Sequence, residues 1–211
     1  MTTGFKTVNG FVWPECDTDA AAVVHSQVVD VEVALRHCRY WDLVVQAGGN
    51  MGVWPRYLMG KFVEIYTFEP EPTNFKCLAQ NCPDRRIHKY PMALGNTTKR
   101  VSMEYPEGRR NMGACCVTDG NEIGMLRLDD LRLEACDLIQ LDIEGYEPLA
   151  MAGAIATVRR YRPVVMLEDK GLSMKYGYSQ GWSEAWALQH DYVKAAHVNR
   201  DIIYIPKEYA K

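Results

Sequence analysis

An α/β fold, a doubly wound and mostly parallel sheet with one reversed strand, is what the chain predicts, on three observations. From about residue 30 onward, short apolar runs alternate with stretches of helical spacing. A glycine-rich turn, Gly48 to Gly52, follows the first of those runs. The last two runs are joined only by Asn199-Arg200-Asp201, too short for a crossover helix, so they must pair antiparallel.

The elements follow in order. Val29 to His37 carries Val29, Val33 and Leu35 at helix-compatible positions and predicts a helix ahead of the first strand, Leu43 to Gln46. After the glycine turn, Trp54, Tyr57 and Leu58 predict a helix over Val53 to Phe62, with Pro55 in its first turn. Ile65 to Phe68 is the second strand and ends at Glu69-Pro70. Pro72 to Gln80 is a helix with Phe75, Leu78 and Ala79 facing inward, and Ile87 to Tyr90 is a third strand. Thr97 to Glu122 is irregular, with an alternating run at Val101 to Tyr105, and is expected to be an insertion near the site. Asp137 to Asp142 is the next strand, and a single helix is expected to run from Pro148 through Leu149, Ala152, Ile155 and Val158. Pro163 stops it and Val164 to Glu168 follows as a strand. Trp182 to Gln189 is helical, and Tyr192 to Val198 with Ile202 to Ile205 form the closing hairpin. Residues 1–39 are expected to form an N-terminal extension with a helix, and residues 40–211 the main domain.

Composition narrows the function classes. The chain has 211 residues, 47% of them hydrophobic and 24% charged, with 24 basic against 27 acidic side chains. It can therefore bury a core without staples, and the net charge of −3 with no long basic block argues against binding a nucleic-acid backbone. Seven cysteines at irregular spacings lack the paired C-x-x-C units of a zinc site and read as reduced thiols. Met1 to Trp13 has no apolar signal core and no segment is long enough to span a membrane, so a cytoplasmic protein is expected, with neither membrane nor nucleic acid among its partners.

Chemistry concentrates at strand ends. Ligands of open α/β sheets bind beyond the carboxyl ends of the strands, where glycines let the backbone come close. A tight strand-to-helix turn explains Gly48, Gly49 and Gly52 equally well by themselves. Glu69 adds weight, because it ends the second strand 21 positions after Gly48, where a carboxylate accepts hydrogen bonds from a ribose diol. A G-x-G-x-x-G register starting at Gly48 places Asn50 and Val53 where the second and third glycines belong, which disfavours a pyrophosphate, and no G-x-x-x-x-G-K-[ST] occurs. A ligand with a ribose and no phosphate fits better, and S-adenosylmethionine is the common one. A nicotinamide-dependent oxidoreductase, NAD(P) being its cofactor, stays as the alternative from the glycine turn and Glu69 alone.

The runs VVQAGGNMGVWP, FEPEPTNF, ALGN (Ala93 to Asn96), LDDL (Leu128 to Leu131), DLIQLDIEGYEPLAMAGA (Asp137 to Ala154), RPVVMLE and DIIYIP stand in unbroken order between about Asp42 and Pro206. Together they resemble the FkbM-type methyltransferases. The resemblance implies a Rossmann-like fold of seven strands in the order 3-2-1-4-5-7-6 with the last strand antiparallel, S-adenosylmethionine as cofactor, and O-methylation of a hydroxyl on a sugar or other small metabolite. It implies that Gly48, Gly49, Asn50 and Gly52 line the methionine and ribose, that Glu69 holds the ribose hydroxyls, and that Pro70 with Met92, Ala93 and Leu94 flanks the adenine. Gln46 stands where the family usually has an acid near the methionine end. An amide can hydrogen-bond the ammonium but cannot pair with its charge, so weaker affinity or compensation by Asp142 is expected.

Asp142 and Glu144 are the candidate catalytic carboxylates, since Asp142 closes an apolar strand and Glu144 follows beside a glycine; capping of the helix near Pro148 is the competing role, for which Glu147 is better placed. Asp169 and His197 are further candidates for a general base by position, with a core or edge histidine as the favoured reading of His197. Arg109 and Arg110 would sit over the cleft if the irregular region is a lid, with a solvated loop as the favoured account, and Trp54, Tyr146, Tyr176, Tyr178 and Trp182 are candidates for a sugar-stacking face, Tyr146 first among them. Asp142, Glu144 and Asp169 could cluster on one edge and hold a hard divalent ion through oxygen, but no metal-specific spacing is visible and no metal ligands are assigned, which leaves metal dependence open. The expected partner is a carbohydrate-like small-molecule acceptor, with homo-oligomerisation left open. Gln46 also motivates a third reading, a catalytically inactive cofactor-binding protein of the same fold.

Overall fold

The structure, a computed structural model, describes residues 4–210. The chain begins with a hairpin of β1 (Phe5–Val8) and β2 (Phe11–Pro14), followed by helices α1 (Ala20–Gln27) and α2 (Val31–Leu35). The helix expected over Val29 to His37 thus starts earlier and is broken by a 3₁₀ turn at Val28–Asp30. Trp13, Val31 and Ala34 are fully buried in the same hydrophobic cluster as Val44, Leu138 and Met166 of the sheet, so this segment covers one sheet face.

The central strands and helices alternate as expected: β3 (Leu43–Ala47), α3 (Val53–Leu58), β4 (Glu64–Phe68), α4 (Pro72–Asn81) and β5 (Ile87–Tyr90). Glu71 caps α4 by accepting a hydrogen bond from the Asn74 N–H at 2.6 Å, and Pro72 occupies the first turn, where its missing N–H costs nothing. The inward face of α4 is Asn74, Cys77, Leu78 and Asn81, spaced i, i+3, i+4, i+7; Ala79, expected inside, is exposed.

The region expected to be irregular is a small second sheet. β6 (Met92–Leu94), β7 (Lys99–Glu104) and β8 (Cys116–Leu126) pair in the order β6-β8-β7. Residues 119–122 loop out between the Val101↔Ile123 and Ser102↔Thr118 pairs, and this polar DGNE bulge hides the strand from a reading of hydrophobic alternation.

β9 (Leu138–Leu141) is followed by two helices, α5 (Glu147–Ala152) and α6 (Ile155–Tyr161), where one was expected. At the break, Gly153 lies against the backbone of Gly95: an added Cβ would sit 1.9 Å from the Gly95 carbonyl oxygen. Asp129, from the distant LDDL run, caps the start of α6 by accepting from the Ala156 and Thr157 N–H groups at 2.9 Å each. The chain closes with β10 (Val164–Glu168), α7 (Trp182–Gln189), β11 (Tyr192–Val198) and β12 (Asp201–Pro206).

The main sheet runs β11-β12-β10-β9-β3-β4-β5. Numbered by the seven main strands alone, this is 3-2-1-4-5-7-6, with β12 antiparallel to both neighbours and the other main pairs parallel. The order reverses between β3 and β9, so a crevice opens at their carboxyl ends. Among the described residues no helix is long and apolar enough to cross a membrane.

Candidate functional site

Parallel register brings the strand ends level: Ala47 pairs with Phe68 on one side and Leu141 on the other, and Leu141 with Leu167. The residues just beyond, Gly48, Glu69, Asp142 and Glu168, therefore share one edge. A cavity opens there. The main sheet supplies its floor through Ala47, Phe68 and the strand ends; the second sheet supplies a wall through Met92, Ala93, Leu94, Met103 and Val117.

The glycine turn is held tightly. The Gly48 and Gly49 N–H groups both donate to the Phe68 carbonyl, at 3.1 and 2.9 Å. Gly48 has φ +85°, and a Cβ there would lie 1.9 Å from the Asp142 carbonyl oxygen. Gly48→Ala is therefore expected to destabilise the fold by roughly 3 kcal/mol or more, from the left-handed backbone and the displaced Asp142 loop together. Urea unfolding measures it; a midpoint unchanged from wild type would mean the turn is freer than its geometry indicates.

Glu69 is 5% exposed and faces the cavity, with Oε2 accepting from the Asn50 N–H at 2.7 Å and Oε1 from the Glu71 N–H at 2.8 Å. Burial pushes its pKa up to about 7 against those two hydrogen bonds, which favour the charged form. Pro70, Met92, Ala93 and Leu94 line the cavity beside it, as do Gly48 and Asn50. Gly49 and Gly52 do not: Gly49 backs onto Thr67 and Leu78, and Gly52 onto Leu78 and Cys82. Gln46 is completely buried below the edge. Its Nε2 donates to the Gly48 carbonyl at 3.0 Å and its Oε1 accepts from the Thr67 hydroxyl at 2.5 Å, so both ends brace the turn from inside.

Asp142 and Glu144 both line the cavity, and Glu168, which does not, lies against them. Carboxylate oxygens of these three residues lie within 4.8 Å of one another, the one such group of acids among the described residues. Lys170 is their counter-ion, its Nζ 3.0 Å from Glu144 and 2.7 Å from Glu168. Burial drives the Asp142 pKa well above the carboxylate range, and repulsion from Glu168 and Glu144 adds to it. Burial likewise raises Glu144, against the pull of Lys170. Burial works against the Lys170 charge, yet Glu144 and Glu168 raise its pKa above the ordinary lysine value. Glu147 is enclosed at the start of α5, where its Oε1 accepts from the Ile143 and Gly145 N–H groups at 2.9 and 3.3 Å and fixes the 142–146 turn; burial lifts it to about 8.

Several expected neighbours lie elsewhere. Asp169 accepts from the Ser183 hydroxyl at 2.7 Å and does not line this cavity; Glu168 takes the place it was expected to fill beside Asp142. His197 is exposed on the outermost strand. Arg109 lies over the Tyr105 ring at 3.9 Å and Arg110 approaches Asp19 at 3.9 Å, while Met112, Gly113 and Cys115 reach the cavity in their stead. Trp54 and Tyr146 line it; Tyr176 packs edge-on against Tyr146, and Tyr178 and Trp182 contact each other outside it. Sequence reasoning missed Lys170 and Asn74 and did not single out Glu168 as a site residue. Glu168 carries the signal that identified Glu69, an acid ending an apolar strand, and Asn74 sits on the apolar face of α4 at helical spacing.

The sequence model of the methyltransferase FkbM domain matches residues 46–181, most of the chain. The chain belongs to the FkbM methyltransferase-domain family. Membership implies S-adenosylmethionine as cofactor, and it sets aside the nicotinamide-dependent oxidoreductase. The residues present fit that group: the cavity has a buried acid at one end for a ribose, apolar walls beside it and an acidic cluster at the other strand end for a cationic centre.

No curated protein matches this member of the FkbM family in sequence. Among solved structures, methyltransferase FkbM from Methylobacillus flagellatus KT is similar with TM-score 0.56 at 21% identity, over 78% of this chain and 43% of its own. This chain thus spans less than half of that protein. An rRNA methylase from Streptococcus thermophilus (TM-score 0.48, 10% identity, 83% of this chain and 92% of its own) is a looser likeness. So is a TehB-like SAM-dependent methyltransferase from Corynebacterium glutamicum (0.47, 13%, 87% and 86%).

Proposed function

We propose that this FkbM-family chain transfers the methyl group of S-adenosylmethionine to a hydroxyl oxygen of an uncharged, carbohydrate-like small molecule. The observation that carries the reading is the pairing, across one cavity, of a buried carboxylate at the end of β4 with an acidic cluster at the ends of β9 and β10. The cofactor, when bound, supplies an electrophilic methyl on a positively charged sulfur.

The protein's own contributions follow from its side chains. Glu69 anchors the ribose, and the wall from Met92 to Leu94 packs against the adenine. Holding acceptor and donor in line supplies effective molarities on the order of 10⁵ M or more. An alcohol is a weak nucleophile until its proton leaves, and we assign that proton to an Asp142 carboxylate oxygen. Glu144 is engaged by Lys170, whereas Asp142 has no ion-pair partner among the described residues. Arg109 and Arg110 do not line the cavity and the cluster at its edge is acidic, which favours a neutral polyol over a phosphorylated or carboxylated acceptor. Trp54 and Tyr146 offer it apolar faces.

Calorimetry with S-adenosylhomocysteine tests cofactor binding, and methyl transfer from labelled cofactor to a panel of neutral, anionic and cationic hydroxyl compounds tests the reaction. Absence of binding at millimolar ligand overturns the reading. Binding without turnover on any acceptor returns the molecule to the inactive alternative.

The acidic cluster makes one further prediction. Lys170 is surrounded by Asp142, Glu144 and Glu168, with Asp201 next to Glu168 across the β10–β12 pairing and lifted to about 7, by burial first and Glu168 second. Lys170→Met leaves these acids without their counter-ion and is expected to cost about 3 kcal/mol at pH 8. Carboxylates whose folded pKa is raised stabilise fully below the unfolded value and lose that contribution as pH rises through the folded one, so the deficit shrinks at pH 5. Equal deficits at both pH values, by urea unfolding, would count against the charge explanation.

A further inference from the structure

Among the described residues, seven buried side-chain polar atoms have no hydrogen-bond partner, and one of them belongs to a residue on the wall of the cavity: Oδ1 of Asn74. Asn74 is 2% exposed, in the first turn of α4. Its amide is not free to turn over. Nδ2 donates to the Met112 carbonyl at 2.9 Å, and a reversed amide would set two acceptors against each other. The oxygen is thus fixed as an acceptor without a donor, and burying such a group uncompensated is costly enough that native structures supply a partner.

The place of Asn74 in the cavity that Glu69 faces indicates the missing donor. A carboxylate offers about four acceptor positions. Two are taken by the Asn50 and Glu71 N–H groups, and Asn74 lines the same cavity as Glu69. A ribose diol presents two hydroxyl hydrogens to this corner of the cavity. Glu69 offers the diol a charged acceptor, and the neighbouring Asn74 amide holds the acceptor that lacks a donor.

We propose that the ribose diol is divided between two side chains, one hydroxyl donating to the Glu69 carboxylate and the other to Asn74 Oδ1. The proposal rests on reading this cavity as the adenosyl site and adds to it a second specificity residue. It also links cofactor to cavity wall: the same amide that accepts the hydroxyl holds Met112, whose N–H donates to Asp17 Oδ2 at 2.6 Å. The segment carrying Met112, Gly113 and Cys115 is thereby tied both to α4 and to the turn before α1.

Calorimetry with S-adenosylhomocysteine and its 2′-deoxy and 3′-deoxy analogues, on wild type, Asn74→Ala and Asn74→Asp, is the test. Asn74→Ala is expected to bind the full ribose about tenfold more weakly, and one of the deoxy analogues as well as wild type does, because that ligand has already lost the hydroxyl concerned. Asn74→Asp keeps an acceptor while losing the donor to Met112, so it should retain the wild-type preference for ribose over that analogue. If Asn74→Ala weakens all three ligands by one common factor, Asn74 acts only by holding Met112 and the proposal is overturned. Should Asn74→Ala not fold, loss of the ribose preference in Asn74→Asp overturns it and retention supports it. A wild type that binds the full ligand but treats both analogues alike in every variant sinks this inference alone; one that binds none of the three sinks the adenosyl reading beneath it.

Discussion

Asp142→Asn is expected to lower kcat by about 10³-fold while cofactor affinity changes less than tenfold. The amide matches the carboxylate in shape and can still accept a hydrogen bond, so alignment survives and what is lost is a group able to take a proton. The pH profile separates this from a packing defect. A general base works ionised, and burial with Glu168 and Glu144 raises the Asp142 pKa, so wild-type kcat should climb with pH through that raised value. The climb should vanish in Asp142→Asn. In Lys170→Met, which withdraws the positive charge favouring the ionised acids, it should move to higher pH. Rates measured from pH 5.5 to 9 with a turned-over acceptor decide the matter; an Asp142→Asn enzyme within tenfold of wild type and of unchanged profile would mean that alignment alone drives the transfer.

How much of this was legible in the residues depends on whether a feature is local. β3, β4 and α4 have periodicity and punctuation within a few residues of themselves, and their boundaries lie within a residue or two of those expected. Glu69 and Asp142 were legible for the same reason, each ending an apolar strand. Features made by distant segments were not. The split between α5 and α6 is enforced by the backbone of Gly95 and capped by Asp129, neither nearby in sequence. Glu168, rather than the adjacent Asp169, faces Asp142 because strand alternation sends the two side chains to opposite faces. Gln46 shows the converse: its position in the motif points to the ligand, yet its neighbours Thr67 and Gly48 satisfy it within the sheet.

Glu69→Ala is expected to reduce affinity for S-adenosylhomocysteine by at least about 100-fold, because it removes a charged acceptor for the ligand and also the acceptors for the Asn50 and Glu71 N–H groups that fix the turn. The pH dependence carries its own sign. With a folded pKa of about 7 against an ordinary 4.5, Glu69 is partly protonated near neutrality, and its contribution to the stability of the free protein is complete below about pH 4.5 and lost as pH rises through 7. Ligand hydroxyls favour the ionised form, so binding displaces the proton and affinity should rise between pH 6 and pH 8. The thermal shift produced by saturating ligand should grow over the same interval. Glu69→Gln keeps one acceptor and no titration: affinity is expected to fall about tenfold and lose its pH dependence. A wild-type affinity flat from pH 6 to pH 8 would place the carboxylate out of contact with the ligand, whereas a rise abolished by Glu69→Gln ties proton release to the side chain that ends β4.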